Sequence, residues 1–76
     1  MPKLARVSGR RLARALEKAG FELERVDGDH AFMYDRDTRR SATVPLTRRT
    51  LPVGIIANVL RQAGLTAQDL SRLLRA

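Results

Sequence analysis

Two stretches of this chain follow one template, LARALEKAG at 12–20 and IANVLRQAG at 56–64. In the first, Leu12, Ala15, Leu16 and Ala19 recur at i, i+3, i+4 and i+7, and in the second Ile56, Val59, Leu60 and Ala63 repeat that spacing. This is the period of one helix face. Between the two stretches the period falls to two. A chain patterned this way is confined to two helices that each need an apolar surface to lie on, and a small sheet that supplies it. Ser8 is placed to cap the first helix, Gly20 and Gly64 to end the two helices, and Pro52 to sit in the first turn of the second.

The strand signals lie inside that frame. Phe21, Leu23 and Arg25 alternate with Glu22, Glu24 and Val26, which predicts a half-buried strand. Asp27-Gly28 is a pair favoured in two-residue hairpins. With those two as the loop, Arg25 falls opposite His30, Leu23 opposite Phe32 and Phe21 opposite Tyr34. That register puts the large apolar groups and His30 on the inward face and Glu22, Glu24, Ala31 and Met33 on the other. DRDTRR, 35–40, is a polar loop, and SATV gives a third strand with Ala42 and Val44 inward, stopped by Pro45. After Gly64, Thr66 and Asp69 are spaced for a capping box, with Leu65 and Leu70 for a hydrophobic staple. Leu70, Leu73 and Leu74 form the stripe of a terminal helix, suited to closing the core, forming a homodimer or docking a partner. The expected architecture is α-β-β-β-α with a further helix, an α+β sandwich in a single domain over residues 1–76.

A chain of 76 residues without cysteine has neither a disulfide nor a thiolate metal site to support a small core. No apolar run approaches the roughly 20 residues of a membrane span. The N-terminus lacks the apolar segment of a secretory signal, so a soluble, cytoplasmic protein is expected. Charge says more. Residues 1–16 carry five bases and no acid, residues 17–37 seven of the eight acids against three bases, and residues 38–61 five bases and no acid. Thirteen of the fifteen bases are arginine, whose planar fork suits phosphate oxygens. A GC-rich genome would also favour arginine codons, but the uneven spread favours a polyanionic partner such as nucleic acid.

His30 is the only histidine, one residue beyond the Asp27-Gly28-Asp29 turn signal. A lone histidine at a strand start is compatible with a purely structural role. No second histidine or cysteine accompanies it for zinc, no glycine-rich phosphate loop is present, and Ser8 and Ser41 lack a recognisable base. Asp27, Asp29, Asp35 and Asp37 are explained by turn chemistry better than by magnesium. No metal and no cofactor is expected. One reaction needs little more than a histidine among arginines, RNA cleavage through the 2′-hydroxyl. The substrate brings its own nucleophile, while the protein moves a proton and stabilises charge on phosphate.

VSGRRLARALEKAGF, then DGDH opening the second strand, then RRSATVP, then NVLRQAGLTAQDL resemble the HicA family of mRNA interferase toxins. The likeness runs from about Pro2 to Leu74 and rests on the order and spacing of short motifs. It implies a double-stranded-RNA-binding-domain-like fold, ribosome-independent cleavage of mRNA, and neutralisation by a HicB-type antitoxin that covers the active site. The family's catalytic histidine follows a Gly-x pair at the start of the second strand. Here the pair is Gly28-Asp29, positioning His30. The family commonly has serine where this chain has Asp29, a second histidine where it has Ala31, and another after the proline that ends strand three, where Leu46 and Thr47 stand.

The acids expected on the outer sheet face direct RNA elsewhere, to a surface joining Arg10, Arg11 and Arg14 of the first helix with Arg39, Arg40, Arg48 and Arg49 around His30. Three readings follow from the sequence: an endoribonuclease toxin with His30 as general acid or base, a catalytically silent RNA-binding module of the same fold, and a protein that binds an antitoxin but never RNA.

Overall fold

Ser8 begins the first helix as its spacing predicts, its hydroxyl accepting the Arg11 N–H at 3.2 Å. The computed structural model describes residues 3–76; Met1 and Pro2, where the family resemblance begins, lie outside the described residues. The elements are α1 (Gly9–Lys18), β1 (Glu22–Asp27), β2 (His30–Asp35), β3 (Arg40–Pro45), α2 (Val53–Ala63) and α3 (Ala67–Arg75). The strands form one antiparallel sheet in the order β1-β2-β3. The fold is α+β, an α-β-β-β-α unit with an added C-terminal helix.

Both helical stripes are buried as their spacing requires. Leu12, Ala15 and Leu16 of α1 and Ile56, Val59, Leu60 and Ala63 of α2 meet Ala31, Met33, Ala42 and Val44 of the sheet. Gly64 takes the left-handed conformation at the end of α2 (φ 73°), with the Arg40 side chain against it. Pro52 stands one residue earlier than expected, as the N-cap of α2. At α3 the Thr66 hydroxyl accepts the Asp69 N–H at 3.0 Å, and the Asp69 carboxylate accepts the Thr66 N–H at 2.8 Å. Leu70 is fully buried, while Leu65, Leu73 and Leu74 pack partly buried against the core.

The hairpin departs from the expected register. Asp27 pairs with His30, so the two-residue loop is Gly28-Asp29 rather than Asp27-Gly28. Gly28 alone has positive φ there (63°), which suits the first central position of a type II′ turn. Val26 then faces Ala31 and Arg25 faces Phe32; a bulge at Glu24 shifts the ladder before Leu23 meets Met33 and Glu22 meets Tyr34. The faces are also exchanged. Ala31, Met33 and Asp35 point to the helices and are buried, whereas His30, Phe32 and Tyr34 lie on the opposite face. The pairing with β3 enforces this, because Ala42 and Val44 point inward as expected and stand opposite Met33 and Ala31. Small side chains at Ala31 and Ala42 let the helices approach the sheet closely. The bulge lets Phe21, just before β1, reach the core.

Candidate active site

His30 opens β2 directly after the Gly28-Asp29 turn, between Asp27 on β1 and Pro45 on β3. Its side chain is 53% exposed, and its Nδ1 lies 3.2 Å from Asp29 Oδ1. Nε2 has no hydrogen-bond partner among the described residues. A short turn explains the arrangement. Gly28 adopts the left-handed conformation, Asp29 completes the loop, and the chain returns with carboxylate and imidazole side by side. His30 therefore sits on the outer sheet face rather than at the rim of the inner one, and its cross-strand neighbour is Asp27 rather than Arg25. Arg25 contributes one pair further along, its guanidinium 4.2 Å from the centre of the Phe32 ring and 3.8 Å from the Asp27 carboxylate.

Three segments meet behind this turn. The carbonyl of Asp29 accepts the Leu46 N–H, and the carbonyl of Thr47 accepts the Arg10 N–H at 3.2 Å. Gly9 lies so close to the Pro45 carbonyl that a Cβ in its place would stand 1.6 Å from the oxygen. Ser8 bridges to Thr50, and the Leu51 N–H donates to the Val7 carbonyl at 2.8 Å. The Thr47 hydroxyl accepts the Arg49 N–H at 3.1 Å and shapes the loop. The start of α1 and the loop after β3 are thus fastened to the turn that carries His30. Sequence reasoning did not find Gly9, because its role depends on a contact with a residue 36 positions away that no local pattern announces.

The corner gathers only some of the expected arginines. Arg10 is in the first turn of α1, and Arg48 and Arg49 are exposed in the loop after β3, all at the His30 end. Arg11 turns toward α3, lining a groove with Lys18, Leu73 and Leu74, and Arg14 borders that groove as well as the gap between α1 and β1. Arg39 and Arg40 are at the far end of the sheet, about 17 Å from His30 at ~3.4 Å per strand residue. There Arg39 holds positive φ (62°) in the β2–β3 turn and Arg40 lies at the C-terminal end of α2, where a cation complements the helix dipole. The four hairpin acids are divided likewise. Asp27 and Asp29 flank His30, while Asp35 is buried at the other end and accepts the Asp37 N–H at 3.0 Å as a turn residue. Among the described residues no group of three or more histidine, cysteine, aspartate or glutamate side chains could hold a metal ion.

A family model described as the HicA toxin of bacterial toxin-antitoxin matches residues 9–65. The chain belongs to the HicA toxin family. The matched region runs from the start of α1 to just past α2 and takes in Gly28, Asp29, His30 and each of the seven arginines considered; α3 lies beyond it. No curated protein matches the chain. The HicA family is one of RNase toxins and implies an antitoxin as partner. No helix is long and apolar enough to cross a membrane among the described residues.

Proposed function

We propose that this HicA-family chain is a metal-independent endoribonuclease that cleaves mRNA with His30 as its proton-transferring group, and that a HicB-type antitoxin neutralises it. One observation carries the reading. The only imidazole in the chain is half-exposed, with Nδ1 3.2 Å from the Asp29 carboxylate, and mounted on a turn fastened to an arginine-bearing corner. With the Asp29 carboxylate on the Nδ1 side, Nε2 is the atom that exchanges a proton with substrate.

In the proposed step Nε2 takes the proton of a ribose 2′-hydroxyl. The 2′-oxygen attacks the adjacent phosphorus, the bond to the 5′-oxygen breaks, and the leaving oxygen takes a proton from water. The products are a 2′,3′-cyclic phosphate and a 5′-hydroxyl, with no net redox change. Arg10, Arg48 and Arg49 serve as the cations for the phosphorane charge, the role that preorganised charge plays in such transition states. Asp29 is a positioning residue that fixes the imidazole tautomer.

The test is cleavage of a single-stranded RNA in EDTA by the wild-type chain and by His30→Ala, with folding followed by circular dichroism. His30→Ala is expected to lose a factor of roughly 10²–10⁴ in rate, the usual contribution of a positioned acid–base group, with an unchanged spectrum. Asp29→Ala is expected to lower kcat at constant KM, with Asp29→Asn recovering part of the loss. Cleavage by His30→Ala at the wild-type rate would end the proposal. The acids beside His30 favour one competing reading, a silent RNA-binding module. It requires salt-sensitive RNA binding without product from either protein.

A further inference from the structure

The helices do not cover the whole inner sheet face. α2 packs on β3, α1 lies over β3 and the edge of β1, and β1 remains exposed throughout. Leu23 and Val26 point to the helix side, opposite Met33 and Ala31, yet are 51% and 49% exposed. Between α1 and β1 runs an open groove of about 270 Å³, floored by Ala31 and Met33 and walled by Leu23, Ala13 and Leu46. Its charged lining is Arg10 and Arg14 against the single acid Glu17. Paired exposed aliphatic side chains beside such a groove are an association surface rather than ordinary scattered exposure.

The two edges of the sheet are treated differently. On β3 the outward N–H of Thr43 is taken by the Gln62 side chain of α2 at 3.0 Å. On β1 no hydrogen bond joins the backbone to any element but β2 among the described residues, and a bulge at Glu24 with charged neighbours discourages indiscriminate strand pairing. The side-chain groove is therefore the more specific feature of that edge.

We infer that this groove is where the antitoxin anchors, through a segment that places apolar side chains against Leu23, Val26, Ala31 and Met33 and flanking carboxylates against Arg10 and Arg14. The inference rests on the toxin reading above and adds the docking face. Charge selects the occupant. The chain carries net +7, the groove margin is cationic, and the aliphatic walls offer nothing to a phosphate backbone, so an acidic protein segment fits and RNA does not. The groove lies on the side of the sheet opposite His30, joined to it through Leu46, whose N–H is bound by Asp29. An anchor there takes Arg10 from the RNA corner.

The probe is the product of the reading frame adjacent to the toxin gene, purified separately. The double variant Leu23→Glu/Val26→Glu is compared with the wild-type chain, with Leu23→Ser as a milder second variant; both positions are exposed, and circular dichroism checks the fold. The expected result is RNA cleavage within twofold of wild type, at least tenfold weaker binding of the probe by the double variant, and failure of the probe to rescue growth. Wild-type affinity in both variants overturns the inference while leaving the toxin reading in place. So does a wild-type dimer, free of probe, that the double variant renders monomeric, because the groove would then hold a second copy. Absence of RNA cleavage by the wild-type chain removes the toxin reading and the inference with it.

Discussion

Gly9 and Gly54 make a matched pair, each in the first turn of a helix, with opposite expectations on replacement by alanine. At Gly54 an added Cβ meets nothing within 4 Å. Alanine there gains helix propensity and restricts the unfolded chain, so Gly54→Ala is expected to stabilise by about 0.5–1 kcal/mol. At Gly9 the same atom would stand 1.6 Å from the Pro45 oxygen and 2.8 Å from the Thr47 nitrogen. Real Cβ contacts do not fall below 3.0 Å, so the difference, about 1.4 Å, is the least distance by which the helix start or the Pro45–Thr47 backbone must move. Neither side is a flexible side-chain tip that can swing aside.

Overpacking of this kind costs about 1–3 kcal/mol, and weakening the Arg10-to-Thr47 hydrogen bond adds about 0.5–1.5 kcal/mol. After the propensity gain is subtracted, Gly9→Ala should destabilise by about 1–3 kcal/mol. For a domain of this size that is a fall of roughly 5–20 °C in Tm. The assay is thermal and urea unfolding followed by circular dichroism on both variants and the wild type. Because Gly9 also fastens α1 to the loop carrying Arg48 and Arg49, the RNA cleavage rate at a temperature where Gly9→Ala remains folded should fall as well. A Gly9→Ala protein melting at or above the wild-type temperature would refute the argument that this contact sets the corner.

Two further expectations concern α3. Leu70 is wholly buried, so Leu70→Ala should destabilise by about 2–5 kcal/mol, read as a shift in the urea midpoint at constant m; a change near zero would mean that α3 is not part of the cooperative unit. The Thr66 N–H and then the Thr66 hydroxyl hold the Asp69 carboxyl below the usual carboxylate range, against a smaller opposing effect of burial, with the Arg72 guanidinium adding the least. A depressed folded-state value means that ionised Asp69 contributes stability above the unfolded value near ~3.9 and loses it as pH falls through the folded value. The stability gap between wild type and Asp69→Asn, measured by urea unfolding, should therefore be widest near neutral pH and narrow below pH ~4; a gap constant from pH 7 to 3 would contradict it.

The parts of this fold legible in the sequence are those decided within one turn of chain. Ser8, Gly64 and the Thr66–Asp69 pair act on backbone groups three or four residues away, and the two helical stripes need only a period. β2 is different because its period is clear and its sense is not. Ala31 and Met33 alternate with Phe32 and Tyr34, so both faces read as apolar, and size alone favours turning the aromatics inward. What decides the matter is β3, where Ser41 and Thr43 alternate unambiguously with Ala42 and Val44. Opposed residues in adjacent strands share a face, so β3 dictates the sense of β2 once the pairing is known. That pairing depends on the loop at 36–39 and is not a local property. The same cause removes Arg39 and Arg40 from the candidate site. They lie close to it in composition and charge, but β2 carries the chain the length of the sheet before they occur.

The exchange of faces changes the electrostatic problem that the proposed chemistry must solve. With His30 on the outer sheet face, its near carboxylates are Asp27 across the ladder and Asp29 beside it, with Glu22 at the far end of β1 opposite Tyr34, an unfavourable field for RNA phosphate. Two of these acids have cationic partners, Glu22 with Arg36 at 3.2 Å and Asp27 with Arg25 at 3.8 Å. Such exposed pairs contribute little to stability. Their effect is on the field, since Glu22 and Asp27 are each met by a cation, whereas Glu24 at the bulge has no ion pair among the described residues. The third, Asp29, lies against His30 itself. A phosphate therefore finds favourable potential only from the side of α1 and the loop after β3, where Arg10, Arg48 and Arg49 stand with no acid between residues 38 and 61. On the proposed mechanism the RNA backbone approaches over that loop and meets His30 from the turn end, with Arg25 exposed but already engaged by Phe32 and Asp27. On that mechanism the loop arginines take the phosphate contact and the turn the proton transfer, the route by which a polyanion would reach a histidine set among carboxylates.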